Sequence, residues 1–315
     1  MNQSESTSPT SSEPMLDRYI KLYLLTTTAI PSILTSIYIL YKFVIDHQFR
    51  SHLNNHSIIA MIIVSFVDTT TELPITLQYL RVGYVQPDKK EFCLFWIWYV
   101  FTLETVNVSL MTWTSIERHI LIFHSHWIQT QRGKIIWHYI PLIFCITYIP
   151  IFYFACVVLY PCENFFEYSL FLCGSICYTS VTWLATFDWT TNVLIPSLSI
   201  PFASTSLLFR VLFQAKKMKR TLKWRSTRKL TLQLMAISIL YLLFWCPLAL
   251  VSIIRLYFIP TFISEIYYYY LYYTPYFVQL LMPFVSLACL PEIWPKKRRI
   301  ANISLFTQNR AQTGF

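Results

Sequence analysis

The stretch FCLFWIWYVFTLETVNVSLMTWTSIERHILIF, residues 92–123, decides the fold of this chain. A bilayer core needs about 20 mostly apolar helical residues to cross it. Between Cys93 and Arg118 a helix rises roughly 37 Å at about 1.5 Å per residue. Because backbone polar groups cannot stay unpaired in hydrocarbon, we expect this segment to be a helix that joins one membrane interface to the other.

The composition of the whole chain supports a membrane protein. Of its 315 residues, 55% are hydrophobic and 13% are charged, whereas a soluble protein has about 25% charged residues. A soluble fold is therefore excluded. The four glycines form no phosphate-binding loop, so dinucleotide and P-loop nucleotide sites are excluded as well.

Six other segments share the length and apolar character of residues 92–123. The seven predicted spans are residues 19–45, 57–82, 92–123, 135–160, 187–214, 229–258 and 267–290. The predicted fold class is an all-α membrane protein, a seven-transmembrane helix bundle. Prolines inside the spans, such as Pro247 and Pro283, predict kinks rather than helix ends.

Lysine and arginine are distributed unevenly across the predicted membrane. Six of the 25 lie on the side that holds the N-terminus, and nineteen lie on the other side. The basic side of a membrane protein faces the cytosol, so we expect the N-terminus to be extracellular. The basic excess then faces acidic lipid headgroups or a cytosolic partner, and no nucleic-acid partner is expected.

Ionisable side chains at membrane depth are costly and mark candidate functional sites. In the third span, Glu104, Asn107 and Arg118 fall on one helical face with Cys93. In the second span, Asp68 and Glu72 are four residues apart and share a face. These two carboxylates form either a proton or cation path or a hydrogen-bonded structural pair, and the sequence does not choose between them.

Four of the eight cysteines lie on the predicted outer side, where disulfides persist: Cys93, Cys162, Cys173 and Cys177. We expect Cys93 to pair with the fourth connection, through Cys173 or Cys177, because either would fold that connection over the mouth of the bundle. Enzyme motifs are missing from the sequence, and no metal or cofactor is expected. His52 and His56 have metal-like spacing but are interpreted as solvated loop histidines.

Several of these residues together resemble the rhodopsin-like, or family A, G-protein-coupled receptors. Glu117-Arg118-His119 resembles the acidic-Arg-aromatic triplet of that family, and its distance from Cys93 is similar. Phe244-Trp245-Cys246-Pro247 resembles the Cys-Trp-x-Pro motif of the sixth helix. Asp68 resembles the acid of the second helix, with Asn107 where the family has a polar partner for it.

The chain also departs from the family pattern, most clearly in the seventh span. Met282-Pro283 stands where the family has Asn-Pro, and Ser286 stands where it has tyrosine. The seventh span has no lysine, so a retinal Schiff base is excluded. Val100 occupies the place where amine receptors carry Asp, which disfavours a monoamine ligand.

The resemblance implies a receptor that transmits the binding of an extracellular peptide or small molecule to a heterotrimeric G protein. We expect a multi-pass plasma-membrane protein with an extracellular tail (1–18), the helix bundle (19–291), and a cytoplasmic amphipathic helix and tail (292–315). Roles in activation and coupling are predicted for Glu117, Arg118, Trp245, Pro247, Pro283, Lys216, Lys217 and Lys229. Ligand contacts are predicted for Glu104, Asp188, Arg255 and Tyr276.

Two other functions stay open at this point. A transporter or channel would use Asp68, Glu72 and Glu104 as a carboxylate path through the membrane. A decoy receptor that no longer couples to G proteins would agree with the altered Met282-Pro283 motif.

Overall fold

The computed structural model describes residues 14–51, 53–174, 176–218, 221–259 and 261–289. Within these ranges the protein is helical and has no strand. Six helices are long and apolar enough to cross a membrane: Met15–Ile45, Asn55–Val82, Lys90–Phe123, Gln131–Leu159, Thr182–Arg210 and Met235–Tyr257. We refer to them as the first to the sixth span.

A seventh span follows in three helical pieces. They are Ser264–Tyr269, a 3₁₀ turn at Leu271–Tyr273, and Thr274–Cys289. The sequence predicted one uninterrupted helix here, but the backbone leaves helical geometry at Tyr270. The last piece packs against both the first and the sixth span, which closes the bundle.

The predicted connection between the fifth and sixth spans is wrong in its extent. The fifth helix continues to Met218 within Ile195–Met218, and the sixth begins at Thr221 within Thr221–Tyr257. Residues 215–228, predicted as a break because they are rich in lysine and arginine, are therefore mostly helical. Polar composition ends the membrane-embedded part of a helix, but in water the helix itself can continue.

The third span lies at the centre of the bundle. In its most apolar window 61% of the residues are buried inside the protein, against 22% for the first span. The third span packs against the second, fourth and fifth spans. The large apolar side chains exposed on the outer spans, for example Leu34, Ile143 and Phe202, form a surface suited to lipid.

Widened π-helical turns interrupt three spans at buried polar residues. They occur at Asp68–Glu72 in the second span, Ile135–Tyr139 in the fourth and Asp188–Leu194 in the fifth. A π turn inserts an extra residue and changes which side chains face the interior. These turns place Asp68, Glu72, His138 and Asp188 in the bundle.

Two disulfides fix the fourth connection on the outer side. Cys93 at the start of the third span is joined to Cys173, with Cα atoms 5.9 Å apart, and Cys162 is joined to Cys177. Leu172 and Cys173 have positive φ angles of 52° and 56°, which cost non-glycine residues of the order of 1 kcal/mol each. The disulfide holds this tight turn in place, so that Leu172 is buried against the helices.

Candidate functional site

A cavity lies beneath the fourth connection, between the third to seventh spans. Its empty volume is about 590 Å³. Phe171, Leu172 and Tyr178 of the connection border it on the outer side, and Trp245 of the sixth span borders it as well. This volume includes open solvent at the mouth of the cavity.

Asp188 contributes a fully hydrogen-bonded carboxylate to the cavity wall. Its Oδ1 accepts hydrogen bonds from the Tyr153 hydroxyl and from Asn192, both at 2.9 Å. Its Oδ2 accepts one of 3.0 Å from the Tyr178 hydroxyl. The carboxylate therefore ties the fourth and fifth spans to the outer connection. Burial and the neighbouring Asp188 carboxyl raise the pKa of the Tyr178 phenol well above its usual value.

Glu104 contributes a second carboxylate to the same cavity, in a different environment. Its side chain is only 9% exposed, and its Oε1 has no hydrogen-bond partner among the described residues. A buried carboxylate oxygen without a partner is energetically costly. Glu104 is therefore the wall residue most in need of a donor from a ligand.

The predicted ligand contacts are only partly brought together. Glu104, Asp188 and Tyr276 line the cavity. Arg255 does not line it: its guanidinium lies over the rings of Tyr267 and Tyr268, 4.7 and 5.1 Å from their centroids. Arg255 also donates a hydrogen bond of 3.0 Å to the Phe262 carbonyl. This arginine thus orders the connection between the sixth and seventh spans.

Glu72 is the acceptor of a polar cluster that the sequence did not reveal. Its Oε1 accepts hydrogen bonds from Trp96 at 3.0 Å, Thr76 at 2.8 Å and Tyr276 at 2.9 Å. The donors come from three different spans. For Asp68, which is 1% exposed, neither carboxylate oxygen has a hydrogen-bond partner within the described ranges. Asp68 and Glu72 thus lie in the same span but differ in their hydrogen bonding.

Asn107 links the third span to the second, sixth and seventh spans. It donates hydrogen bonds to Ser65, at 2.8 Å, and to Gln279. Its own Oδ1 accepts one of 2.9 Å from the Tyr241 hydroxyl. Gln279, four residues before Pro283, is the polar side chain that the seventh span contributes to this junction. Asn107 was expected to be a partner of Asp68, but its hydrogen bonds go to these three residues.

The Glu117-Arg118-His119 triplet lies at the other end of the third span. Glu117 and Arg118 are 1% and 2% exposed. Glu117 accepts a hydrogen bond of 2.5 Å from Ser57 and contacts Nδ1 of His138. The ring of His119 donates to the Ala203 carbonyl in the fifth span at 2.7 Å. The sequence did not single out His138 as a partner of Glu117.

Trp245, Pro247 and Pro283, which have predicted roles in activation, lie in the sixth and seventh spans. Trp245 is 3% exposed and borders the cavity, while Pro247 and Pro283 lie inside the sixth and seventh spans. Lys216, Lys217 and Lys229 are on the described helices, but their side chains lie outside the described residues. The predicted amphipathic helix, residues 296–306, also lies outside them.

The fold is similar to that of a protein of known structure. A crystal structure of squid rhodopsin superimposes with a TM-score of 0.69 over 93% of this chain and 87% of that chain, at 14% sequence identity. No protein-family model and no curated protein matches the sequence. The predicted rhodopsin-like seven-helix fold is therefore confirmed.

Proposed function

We propose that this protein is a G-protein-coupled receptor of the plasma membrane that binds a small organic ligand in the cavity under the fourth connection. The observation that carries the proposal is the alignment of three features along the third span. The disulfide at Cys93 anchors the roof of the cavity, Glu104 faces the cavity, and Arg118 lies at the predicted cytosolic end. A single helix thus connects the proposed ligand site to the end at which Arg118 would contact the G protein.

The cavity favours a small ligand over a peptide. Phe171 and Leu172 cover it, and the Cys93–Cys173 disulfide holds this cover against the third span. A peptide would need an open groove, because its extended backbone continues beyond any one pocket. A compact molecule can instead lie entirely beneath this cover.

The chemistry of the wall favours a cationic ligand with an aromatic or apolar body. Asp188 already has three donors, whereas Glu104 Oε1 has none among the described residues. A protonated amine or amidinium would satisfy this oxygen and balance its charge. The acid that amine receptors carry at the place of Val100 is absent, but Glu104 lies four residues further along the same helix.

Ligand binding would shift a two-state bundle through a difference in affinity for the two states. Trp245 borders the cavity two residues before Pro247, where the sequence predicts a kink, so ligand contact there would move the inner half of the sixth helix. The cytosolic opening would present Arg118 to the G protein, with Lys216, Lys217 and Lys229 around it. Pro283 would allow the seventh span to bend with this motion.

Nucleotide exchange on purified G proteins tests the proposal. The protein is placed in lipid nanodiscs and assayed with panels of cationic, neutral and anionic small molecules. We expect a cationic compound to raise the exchange rate, and Glu104→Gln to weaken its potency by at least about tenfold, or about 1.4 kcal/mol. Glu91→Gln, an exposed acid on the same helix, is the matched control and should leave potency unchanged.

Two outcomes would contradict this function. Exchange that no compound raises, with intact ligand binding, would identify the non-coupling decoy receptor that the Met282-Pro283 motif allows. Ion flux through the protein in vesicles without G protein would identify the transporter or channel. That alternative is supported by four buried carboxylate oxygens without a hydrogen-bond partner among the described residues: both oxygens of Asp68, Oε2 of Glu72 and Oε1 of Glu104.

A further inference from the structure

A chain of hydrogen-bonding side chains runs from Glu117 toward the cytosolic surface. Glu117, buried in the third span, contacts Nδ1 of the fully buried His138 in the fourth span. Nε2 of His138 lies 3.3 Å from Nδ1 of His56 in the second span. Nε2 of His56 lies 2.8 Å from the carbonyl oxygen of Arg50, at an exposed position.

The three contacts of this chain require a fixed number of protons. The Arg50 carbonyl only accepts, so Nε2 of His56 must carry a proton. If His56 is neutral, its Nδ1 is an acceptor, and Nε2 of His138 must then donate to it. A carboxylate Glu117 also only accepts, so Nδ1 of His138 must donate as well. All three hydrogen bonds can form only when Glu117, His138 and His56 together hold one extra proton. The extra proton is counted relative to one carboxylate and two neutral imidazoles.

We propose that Glu117, His138 and His56 form a proton-binding site at the cytosolic end of the bundle, in which His138 is an imidazolium. The extra proton resides on an imidazole rather than on Glu117, because imidazole is more basic than a carboxyl group. We assign it to His138 rather than His56 because His138 contacts Glu117 directly. His138 then donates to Glu117 on one side and to His56 on the other. The positive charge of His138, in direct contact with Glu117, then balances the buried negative charge of Glu117.

Other charged and titratable groups lie on the elements packed around Glu117, His138 and His56. At this end of the bundle, the other charged and titratable groups on the surrounding elements are Arg118 and His119 on the third span, Arg132, Lys134 and Tyr139 on the fourth, Lys42 and Asp46 at the end of the first, and His47 and Arg50 on the short helix that follows it.

Three of these groups have other contacts. Tyr139 contributes its ring, 4.7 Å from that of His138. Asp46 accepts from the Phe49 amide, and the Arg50 guanidinium donates to the Val44 carbonyl. Glu117 is the acid that contacts His138 directly.

The site makes the arrangement of the second, third and fourth spans sensitive to cytosolic pH. When the proton leaves, one hydrogen bond of the chain is lost and Glu117 remains as a buried carboxylate without its cationic neighbour. In the unfolded chain the histidines are neutral above about pH 6.5. The folded state thus binds more protons than the unfolded state in the range above that pH, so its stability falls as pH rises.

Side-chain ¹⁵N NMR of the full chain, labelled on its seven histidines and placed in lipid nanodiscs, tests the proposal. Imidazolium and neutral imidazole nitrogens have distinct chemical shifts. We expect one imidazolium signal to persist at about pH 8, where solvent-exposed histidines are neutral. His138→Gln, which keeps a neutral donor toward Glu117, should remove that signal. His126→Gln, which changes an exposed histidine, should leave it.

The same spectra can overturn the proposal. If no imidazolium persists in the unmodified protein at about pH 8, or if the signal survives His138→Gln, the site does not hold the proton. His56→Ala provides a second variant should His138→Gln fail to fold. It removes the acceptor of the second His138 proton, so the imidazolium signal should be lost at a lower pH than before. An unchanged titration would contradict the proposed chain.

Thermal unfolding gives an independent measurement. Between about pH 6.5 and 8.5 the Tm of the unmodified protein should fall by about 2–4 °C more than that of His138→Gln. Parallel Tm profiles for the two proteins would reject the site. Neither measurement uses a ligand or a G protein, so failure here leaves the proposed receptor function untouched.

Discussion

The hydroxyl group of Tyr276 in the seventh span donates a 2.9 Å hydrogen bond to the buried carboxylate of Glu72 in the second span. Tyr276 is 1% exposed and also lines the ligand cavity. The same side chain therefore contacts both the cavity and the carboxylate cluster beside it. A ligand that displaces Tyr276 would leave a buried acid with one donor fewer.

Replacing Tyr276 by Phe should therefore destabilise the protein. Glu72 Oε1 would keep Trp96 and Thr76 as donors but lose the third, and the loss of a hydrogen bond to a buried charged group costs about 1.5–3 kcal/mol. Thermal unfolding in nanodiscs measures the effect. Tyr270→Phe is the matched control, because the Tyr270 hydroxyl donates to Asp17 at an exposed position. Equal changes in Tm for the two variants would show that the buried hydrogen bond to Glu72 stabilises the protein no more than the exposed one to Asp17.

The two disulfides should differ in their importance. Cys93–Cys173 joins residues 80 positions apart and Cys162–Cys177 residues 15 positions apart. By chain entropy alone these links contribute about 4.5 and 3 kcal/mol. Cys173→Ser also releases the turn that buries Leu172 over the cavity. We expect Cys173→Ser to lower surface delivery and ligand binding more than Cys177→Ser. Cell-surface labelling and binding assays measure both, and the reverse order would contradict this assignment.

The number and order of the membrane-spanning helices were predictable because they depend on local composition. A lipid environment requires long apolar helices, so the spans and the outer cysteines follow from the sequence. The exact ends of the spans were not predictable. Helices of the fifth and sixth spans continue into the basic residues 215–228, since lysine and arginine are good helix formers.

The contacts between spans could not be predicted from the sequence. Glu117 meets His138, and Asp188 meets Tyr153 and Tyr178, across different elements. Each of these contacts involves a π turn, at Ile135–Tyr139 or Asp188–Leu194. An ordinary helical wheel assigns such residues to the wrong face. One signal was present: a histidine at membrane depth, His138, needs a polar partner.

Arg118→Ala should abolish G-protein activation while leaving ligand binding and surface delivery intact. Arg118 is 2% exposed at the predicted cytosolic end of the third span, fourteen residues along the helix from Glu104. Its guanidinium is the proposed contact for the G protein. Nucleotide exchange and ligand binding are measured on the same preparations. Arg132→Ala removes an exposed cation and should retain signalling. Unchanged exchange in Arg118→Ala would reject the coupling role.

Gln279→Ala should weaken the junction of the second, third and seventh spans. Gln279 accepts hydrogen bonds from Ser65, at 2.7 Å, and from Asn107. Both donors are buried, and each would lose an acceptor, at about 1–3 kcal/mol for a buried group left unpaired. Thermal unfolding should show a lower Tm, while Gln78→Ala, at an exposed position of the second span, should not. If Gln279→Ala unfolds at the unmodified temperature, Asn107 and Ser65 find other acceptors, and the seventh span does not depend on this junction.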